Sequence, residues 1–324
     1  MIRARRTIGA AVRSFLRKPM VLMYHRIANT DYDPWGLAVS PAHFDEQLAE
    51  LRRERDVMSL ADFGTLLAGR RLPKRATAIT FDDGYACNAR VAAPILRAHG
   101  HPATFFLTTG AIGGEREFWW DELATLLVET CVPVTGLVTV GTKQYEIDFA
   151  APLVPAEVLK AWHWTSPSRN VRLQNYMEIW KEMRALDHTG QRAALDSMWQ
   201  ACSVRPILRD NYRPMTAREV KTFEVAGLFH IAPHSVTHTA LSGLPEEAQR
   251  LEIVSSRESC ATLSDNTIAV FSYPYGDNSP ITRRIVREAG FALACGTEAR
   301  VVNATSDPFA IPRFQVPDLP GLVS

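Results

Sequence analysis

Short apolar runs of strand length alternate with amphipathic stretches of helical spacing along most of this chain, and that alternation restricts it to α/β folds built on a parallel sheet or barrel. Met20–His25 reads as a buried strand, after which Ser40 and Pro41 supply an N-cap and a first helical residue, with Phe44, Leu48 and Leu51 at helical spacing. Val57–Leu60 and Ala76–Asp82 read as further strands, a helix through Val91, Ile95 and Leu96 ends near Gly100, and Ala103–Thr109 is another strand. The alternation breaks after Phe118. Leu137–Val140 and Gln144–Asp148, separated by Gly141-Thr142-Lys143, read as a hairpin, and helical stretches near 155–163, 170–186 and 190–202 follow. Thr216 and Glu219 form a capping-box pattern that restarts the alternation: strand 229–233, helix 246–263, strand 269–273, a helix opened by Ser279-Pro280, and strand 291–295. Residues 119–212 therefore read as an insertion into one α/β unit rather than a second fold.

Composition narrows the class further. At 324 residues, 46% hydrophobic and 22% charged, the chain can bury a core and is neither disordered nor fibrous. Its 36 basic and 35 acidic residues argue against a nucleic-acid partner. The basic residues are unevenly spread: Arg3, Arg5, Arg6, Arg13, Arg17, Lys18 and Arg26 all precede the first acid, Asp31, leaving 29 basic against 35 acidic residues in the remainder. Within this leading segment Ile8, Val12 and Phe15 share a helical face, which suits either a packed first helix or a peripheral membrane contact through residues 1–19. No apolar run is long enough for a signal peptide or a membrane span, so the expected location is cytoplasmic, with or without association with the inner membrane surface. The five cysteines are irregularly spaced without a CxxC pair, which gives no disulfide framework and no cysteine zinc ribbon.

Three segments at predicted strand ends carry chemistry. Thr80-Phe81-Asp82-Asp83-Gly84-Tyr85 places two adjacent carboxylates where catalytic groups gather in parallel sheets and barrels. Alone it also reads as a solvated turn, but adjacent carboxylates repel unless a cation or proton offsets one of them. His234-Ser-Val-Thr-His238 follows the apolar run Phe229–Pro233, and on a helical turn its two imidazoles would share one face and grip one divalent metal. With a carboxylate they make a three-ligand set that leaves a position open, the pattern of a catalytic site. Phe271-Ser-Tyr-Pro-Tyr-Gly276 is the third segment and, taken alone, a proline-fixed aromatic turn.

In this order the segments resemble the motifs of the polysaccharide deacetylases, the NodB-homology group of carbohydrate esterase family four: Thr80–Gly84 matches TFDDG, His234–His238 matches H-[ST]-x-x-H, and Tyr273–Tyr275 matches an aromatic-Pro-Tyr segment. The resemblance covers about 20–118 and 213–310. It implies a distorted (β/α) barrel, an incomplete TIM-type fold, formed by 20–118 and 213–324, with 119–212 as a mixed α/β insertion acting as lid or specificity element. It also implies roles. Asp82 is the base, Asp83, His234 and His238 hold zinc or another divalent ion (cobalt, nickel or manganese), and the Tyr275 N–H helps hold the oxyanion while Tyr273 and Pro274 shape the sugar groove. Trp119, Trp120 and Asp121 correspond to a groove-wall segment. Many members take the general acid from a late histidine, and none follows His238 here. His25, ending Val21-Leu-Met-Tyr-His25, is the expected acid, similar to exopolysaccharide deacetylases whose motif order is circularly permuted. The third-motif arginine that pairs with the base is replaced around Ser272, and Arg313 is the candidate to supply that charge.

The expected activity is metal-dependent removal of N-acetyl groups from an amino-sugar glycan, a glycolipid or a polysaccharide precursor. Alternatives are O-deacetylation, a catalytically silent sugar-binding module, and an amidohydrolase of a small nucleotide sugar. The absence of a G-x-S-x-G elbow and of a phosphate-cradling glycine loop removes serine hydrolases and nucleotide-binding enzymes.

Overall fold

The structure, a computed structural model, describes residues 18–322, and only the backbone of 224–226. The predicted amphipathic face of Ile8, Val12 and Phe15 lies outside the described residues, as does most of the basic segment 1–19.

The chain enters through β1 (Met20–Tyr24), the short pair β2 (Arg26–Ile27) and β3 (Ala38–Val39), and α1 (Pro41–Glu54). The Ser40 hydroxyl caps α1 by accepting the His43 N–H, and Phe44, Leu48 and Leu51 form its buried face. β4 (Asp56–Val57) is shorter than the strand expected over Val57–Leu60. Ser59 instead accepts the Asp62 N–H as an N-cap, and Leu60, Phe63 and Leu67 turn inward on α2 (Leu60–Ala68). β5 (Ala76–Phe81), a π-helical turn at Asn88–Ala92, α3 (Ala93–His99) and β6 (Ala103–Leu107) complete the first half. β1, β5 and β6 are buried along their whole length, as strands covered on both faces must be.

Residues 119–212 then depart from the alternation with α4 (Trp119–Ala124), a hairpin of β7 (Thr135–Val140) and β8 (Lys143–Asp148), and helices α5 (Ala156–Ala161), α6 (Val171–Arg184) and α7 (His188–Cys202). The hairpin pairs Val140 with Lys143 across its turn, where Gly141 adopts φ +61°. This stretch packs on the barrel mouth, because Tyr32, Tyr85 and Phe118 share one apolar cluster with Leu173, Tyr176, Ile179 and Trp199. Within it, buried Glu122 on α4 accepts from Arg192 and the Trp199 indole on α7 and from Arg116 just before the stretch.

The barrel resumes with α8 (Ala217–Lys221), opened by the reciprocal Thr216–Glu219 capping box, followed by β9 (Phe229–Pro233), α9 (Glu246–Leu263), β10 (Val270–Ser272), α10 (Pro280–Glu288), β11 (Leu293–Cys295) and β12 (Phe314–Gln315). Five strands pair in the order β12-β1-β5-β6-β9, all parallel, and β4 shares the edge of β5 that β6 takes higher up. β10 and β11 pair separately, and two bridges close the ring: Ile231 to Thr267 beside β9, and Cys295 to Ile311 before β12. The result is a distorted parallel barrel in which the first strand lies beside the last, Leu22 opposite Phe314. Among the described residues no helix is long and apolar enough to cross a membrane.

Candidate active site

The C-terminal ends of β5, β9 and β10 and the residue that leads into β12, Arg313, converge on one point. β5 runs straight into Asp82, whose N–H continues the ladder by donating to Tyr24 O, after which Asp83 takes a left-handed φ of 72° and Gly84 a φ of 92°. That reversal lets two sequence neighbours, which would alternate faces in a continuing strand, aim their carboxylates into the same cleft. Asp82 and Asp83 are each 2% exposed.

The segment His234–His238 is not the helical turn its spacing predicts. Ser235 (φ 61°) and His238 (φ 60°) are both left-handed, and the loop is shaped from outside, with Glu252 on α9 accepting the N–H groups of Val236 and Thr237 and the Thr237 hydroxyl. The loop nonetheless brings the imidazoles together, ring centres 4.8 Å apart. His234 Nε2 lies 3.6 Å and His238 Nε2 3.2 Å from Asp83 Oδ1. The Nδ1 of His234 faces the Ser272 carbonyl at 2.8 Å, which places its proton there and turns the Nε2 lone pair toward the carboxylates. Burial lowers the His234 pKa to about 4 despite Asp82 nearby, so the ring is neutral at physiological pH. Asp83 Oδ1 is buried without a hydrogen bond; the approach of His238 is close enough for attraction but is not directed as one.

An imidazole lone pair facing an orphaned carboxylate oxygen is repulsive unless a cation lies between them, and Asp83, His234 and His238 form a buried cluster whose ligand atoms all lie within 4.8 Å of one another. The residues present therefore fit a divalent metal, with Ser272 O fixing the orientation of one ligand.

Asp82 is held differently. Arg313, fully buried just before β12, grips it bidentately, Nη1 to Oδ1 at 2.7 Å and Nη2 to Oδ2 at 2.6 Å. The guanidinium is itself fixed by Gly296 O, Thr80 Oγ1 and Ser272 Oγ. Burial alone would raise the Asp82 pKa, but the charge and hydrogen bonds of Arg313 outweigh it and hold the group well below the usual carboxylate range. Asp83 follows the same pattern, with burial opposed by His238, His25 and His234. The Ser272 hydroxyl, 3.2 Å from Asp82, occupies the place at which the sequence resemblance expects an arginine. The charge arrives from the chain's far end, because β12 pairs with β1, the neighbour of β5. His25, immediately after β1, lies within electrostatic reach of both aspartates, and its Nδ1 is buried without a partner.

The remaining candidates divide. Trp120 lays its ring against His238, centres 4.7 Å apart, and its indole N–H donates to Tyr85, whose hydroxyl donates to Asp121. Tyr275 packs against His238 at 4.6 Å, and its hydroxyl accepts from Trp119. Asp121 is a buried carboxyl behind this wall, pushed up to about 7 by burial against the opposing Arg26 charge, and it does not line the open cleft. Tyr273, expected in the sugar groove, is turned into the core: it is fully buried against Phe271 with its hydroxyl on Phe309 O. Pro274 is buried too and serves by starting the tight turn in which Tyr275 adopts φ 57°. Behind Trp119 and Trp120 opens a cleft of about 240 Å³ lined also by Arg116, His188, Arg192 and Thr237. Sequence reasoning did not single out Thr80 and Ser272 as supports of Arg313, nor Tyr85 behind Trp120. The strand-end position of the first two was the available signal.

The C-terminal end of the parallel barrel thus gathers an arginine-clamped carboxylate beside an Asp-His-His cluster that fits a divalent cation, at the end of the fold where catalytic groups of parallel barrels gather. A sequence profile described as polysaccharide deacetylase matches residues 69–133 and 196–294, just over half the chain, and the chain belongs to that family. It is accordingly a hydrolase acting on carbon–nitrogen amide bonds. No curated protein sequence gives a significant match. Among solved structures the chain is similar to IcaB from Ammonifex degensii (18% identity, TM-score 0.57, covering 93% of this chain and 92% of that one). It is also similar to the Streptococcus pyogenes deacetylase PplD in complex with acetate (20% identity, TM-score 0.52, 93% of each chain) and to a de-N-acetylase from Aggregatibacter actinomycetemcomitans (17%, TM-score 0.53, 91% and 93%). At these identities the likeness establishes the barrel-like fold.

Proposed function

We propose that the chain is a divalent-metal-dependent N-deacetylase of an acetylated amino-sugar glycan or glycan precursor. The observation that carries this reading is the buried Asp83 oxygen, unbonded and faced by two imidazoles, beside an Asp82 that Arg313 keeps ionised. Asp83, His234 and His238 would hold the metal, zinc being the expected ion, and when bound it supplies Lewis acidity to the acetamide carbonyl and to water.

The chain's own groups account for the proton transfers. Asp82 takes the proton of the attacking water. Arg313 keeps both of its oxygens oriented and prevents it from sharing a proton with Asp83 in the resting site. The departing amine must gain a proton, and His25, with a buried ring nitrogen free of partners, is the group assigned to deliver it. The Tyr275 N–H, in its left-handed turn, is assigned to the developing oxyanion. Trp120 and Tyr275 pack around His238 and keep water from its outer face.

An empty third-motif arginine position would argue mildly for a silent sugar-binding member of the fold; the Arg313–Asp82 pair supports the catalytic reading instead. The test is acetate release from N-acetylglucosamine oligomers with added Zn²⁺ or Co²⁺. Wild type should turn over, Asp82→Asn and His234→Ala should lose activity by about 10³-fold or more, and equal rates in all three would discard the reading.

A further inference from the structure

We propose that Arg184, at the end of α6, recognises an anionic group, carboxylate or phosphate, on the substrate beside the acetamido sugar. This rests on the deacetylase reading and specifies which substrates that site prefers.

The first observation is the position of the guanidinium. Arg184 belongs to the 119–212 stretch, yet its Cζ lies 5.0 Å from the Tyr275 ring centre and 5.9 Å from that of Trp180. Tyr275 packs directly on the metal-ligand candidate His238, so only one aromatic ring separates Arg184 from the cluster. Trp180, one turn earlier on α6, stacks on Trp35 at 4.2 Å, and Trp35 stacks in turn on Trp164, which is 46% exposed. An aromatic wall therefore runs from the site to solvent, and Arg184 is the cation set into its inner end.

The second observation is that this cation is unspent. Among the described residues the guanidinium makes no ion pair and no side-chain hydrogen bond, and its Nε is buried without a partner. A nearby acid on the same helix, Glu182, is already taken by Lys143. Three other arginines near the mouth are engaged by acids, Arg116 and Arg192 on Glu122 and Arg209 on Glu117 and Glu129, while Arg26 lies buried over the Tyr85 and Tyr212 rings, away from the Tyr275 wall. A buried N–H left unmade is costly, and stacking on rings fixes the guanidinium plane without satisfying its donors. A planar fork with free donors held at a site mouth matches a carboxylate or phosphate. Neutral sugar hydroxyls would not require it.

The experiment is calorimetric binding to the zinc-loaded full chain of three probes: N-acetylglucosamine, N-acetylglucosamine 1-phosphate, and a disaccharide of N-acetylglucosamine with a uronic acid. Wild type should bind at least one anionic probe about tenfold more tightly than the neutral one, and which of the two gains more separates phosphate from carboxylate. In Arg184→Gln the preference should collapse to under about twofold, with Arg184→Lys in between. A preference retained in Arg184→Gln, or absent in wild type, overturns the proposal, and near-ultraviolet circular dichroism of both variants controls for folding. Acetate release measured on the same proteins separates the two readings. Turnover without anion preference removes the role of Arg184, whereas anion preference without turnover removes the deacetylase assignment.

Discussion

Replacing Arg313 by methionine tests the link between the fold's stability and its chemistry. The guanidinium makes five hydrogen bonds in a fully buried setting, two of them to Asp82. Removing one partner of a buried pair costs about 3–5 kcal/mol, because the remaining charge is left unpaired. Asp82→Asn strands the arginine in the same way, so each single variant should be severely destabilised. The double variant, in which neither member of the pair is left stranded, should be less destabilised than the sum by at least about 2 kcal/mol. Urea denaturation of the four proteins at pH 7 measures this directly. The pH dependence has a definite sign. Asp82 is depressed in the folded chain, so its stabilising contribution is present above the unfolded value of about 3.8 and is lost as pH falls through the lower folded value. Without its arginine Asp82 is raised by burial, so the gap between wild type and Arg313→Met should be widest near pH 7 and narrow as pH falls toward and below about 4. Additivity of the single variants within about 0.5 kcal/mol, together with an acid-insensitive gap, would refute the pairing as an energetic unit.

Other outcomes follow from particular contacts. His234→Ala removes one of three ligands and should weaken Zn²⁺ binding, read by calorimetry, by at least about 100-fold. Asp121 is raised to about 7, so stability is fullest below its unfolded value near 3.8 and is lost as pH rises to 7. Asp121→Asn should flatten that slope, which is on the order of 2–3 kcal/mol between pH 5 and 7.5, in thermal melts at those two pH values. Gly276 adopts φ 69°, and an added Cβ would lie 2.9 Å from the Thr297 backbone nitrogen. Gly276→Ala should therefore displace the Tyr275 turn and lower kcat about tenfold or more, with destabilisation of about 1–3 kcal/mol.

Much of the barrel was legible because its strands and helices obey local rules. The run Phe229–Pro233 and the helix Glu246–Leu263 fall where their patterns place them, and the Thr216–Glu219 capping box forms as read. The helix at Leu60–Ala68 was missed although Ser59 and the spacing of Leu60, Phe63 and Leu67 carried its signal, since Val57–Leu60 was read as a strand. The histidine spacing misled in detail. An i, i+4 pair shares a face only on a helix, and here two left-handed residues and a remote Glu252 shape the loop instead. Tyr273 has the same apolar-polar character whether it meets sugar or core, so its inward turn toward Phe309 could not be read from the chain. Arg313 was nameable only as a candidate, since its partner lies 231 positions away and meets it through the pairing of the first and last strands. Trp180 and Arg184 carried no signal at all, because nothing local ties α6 to the turn that holds Tyr275.

The central claim is that this site removes N-acetyl groups with a divalent metal held by Asp83, His234 and His238. The direct measurement counts acetate released and primary amine exposed on an N-acetylglucosamine tetramer, before chelation, after chelation, and after Zn²⁺ is restored. The account predicts equal molar amounts of acetate and amine, lost on chelation and recovered with zinc. Acetate without new amine, or turnover indifferent to chelation, would contradict it.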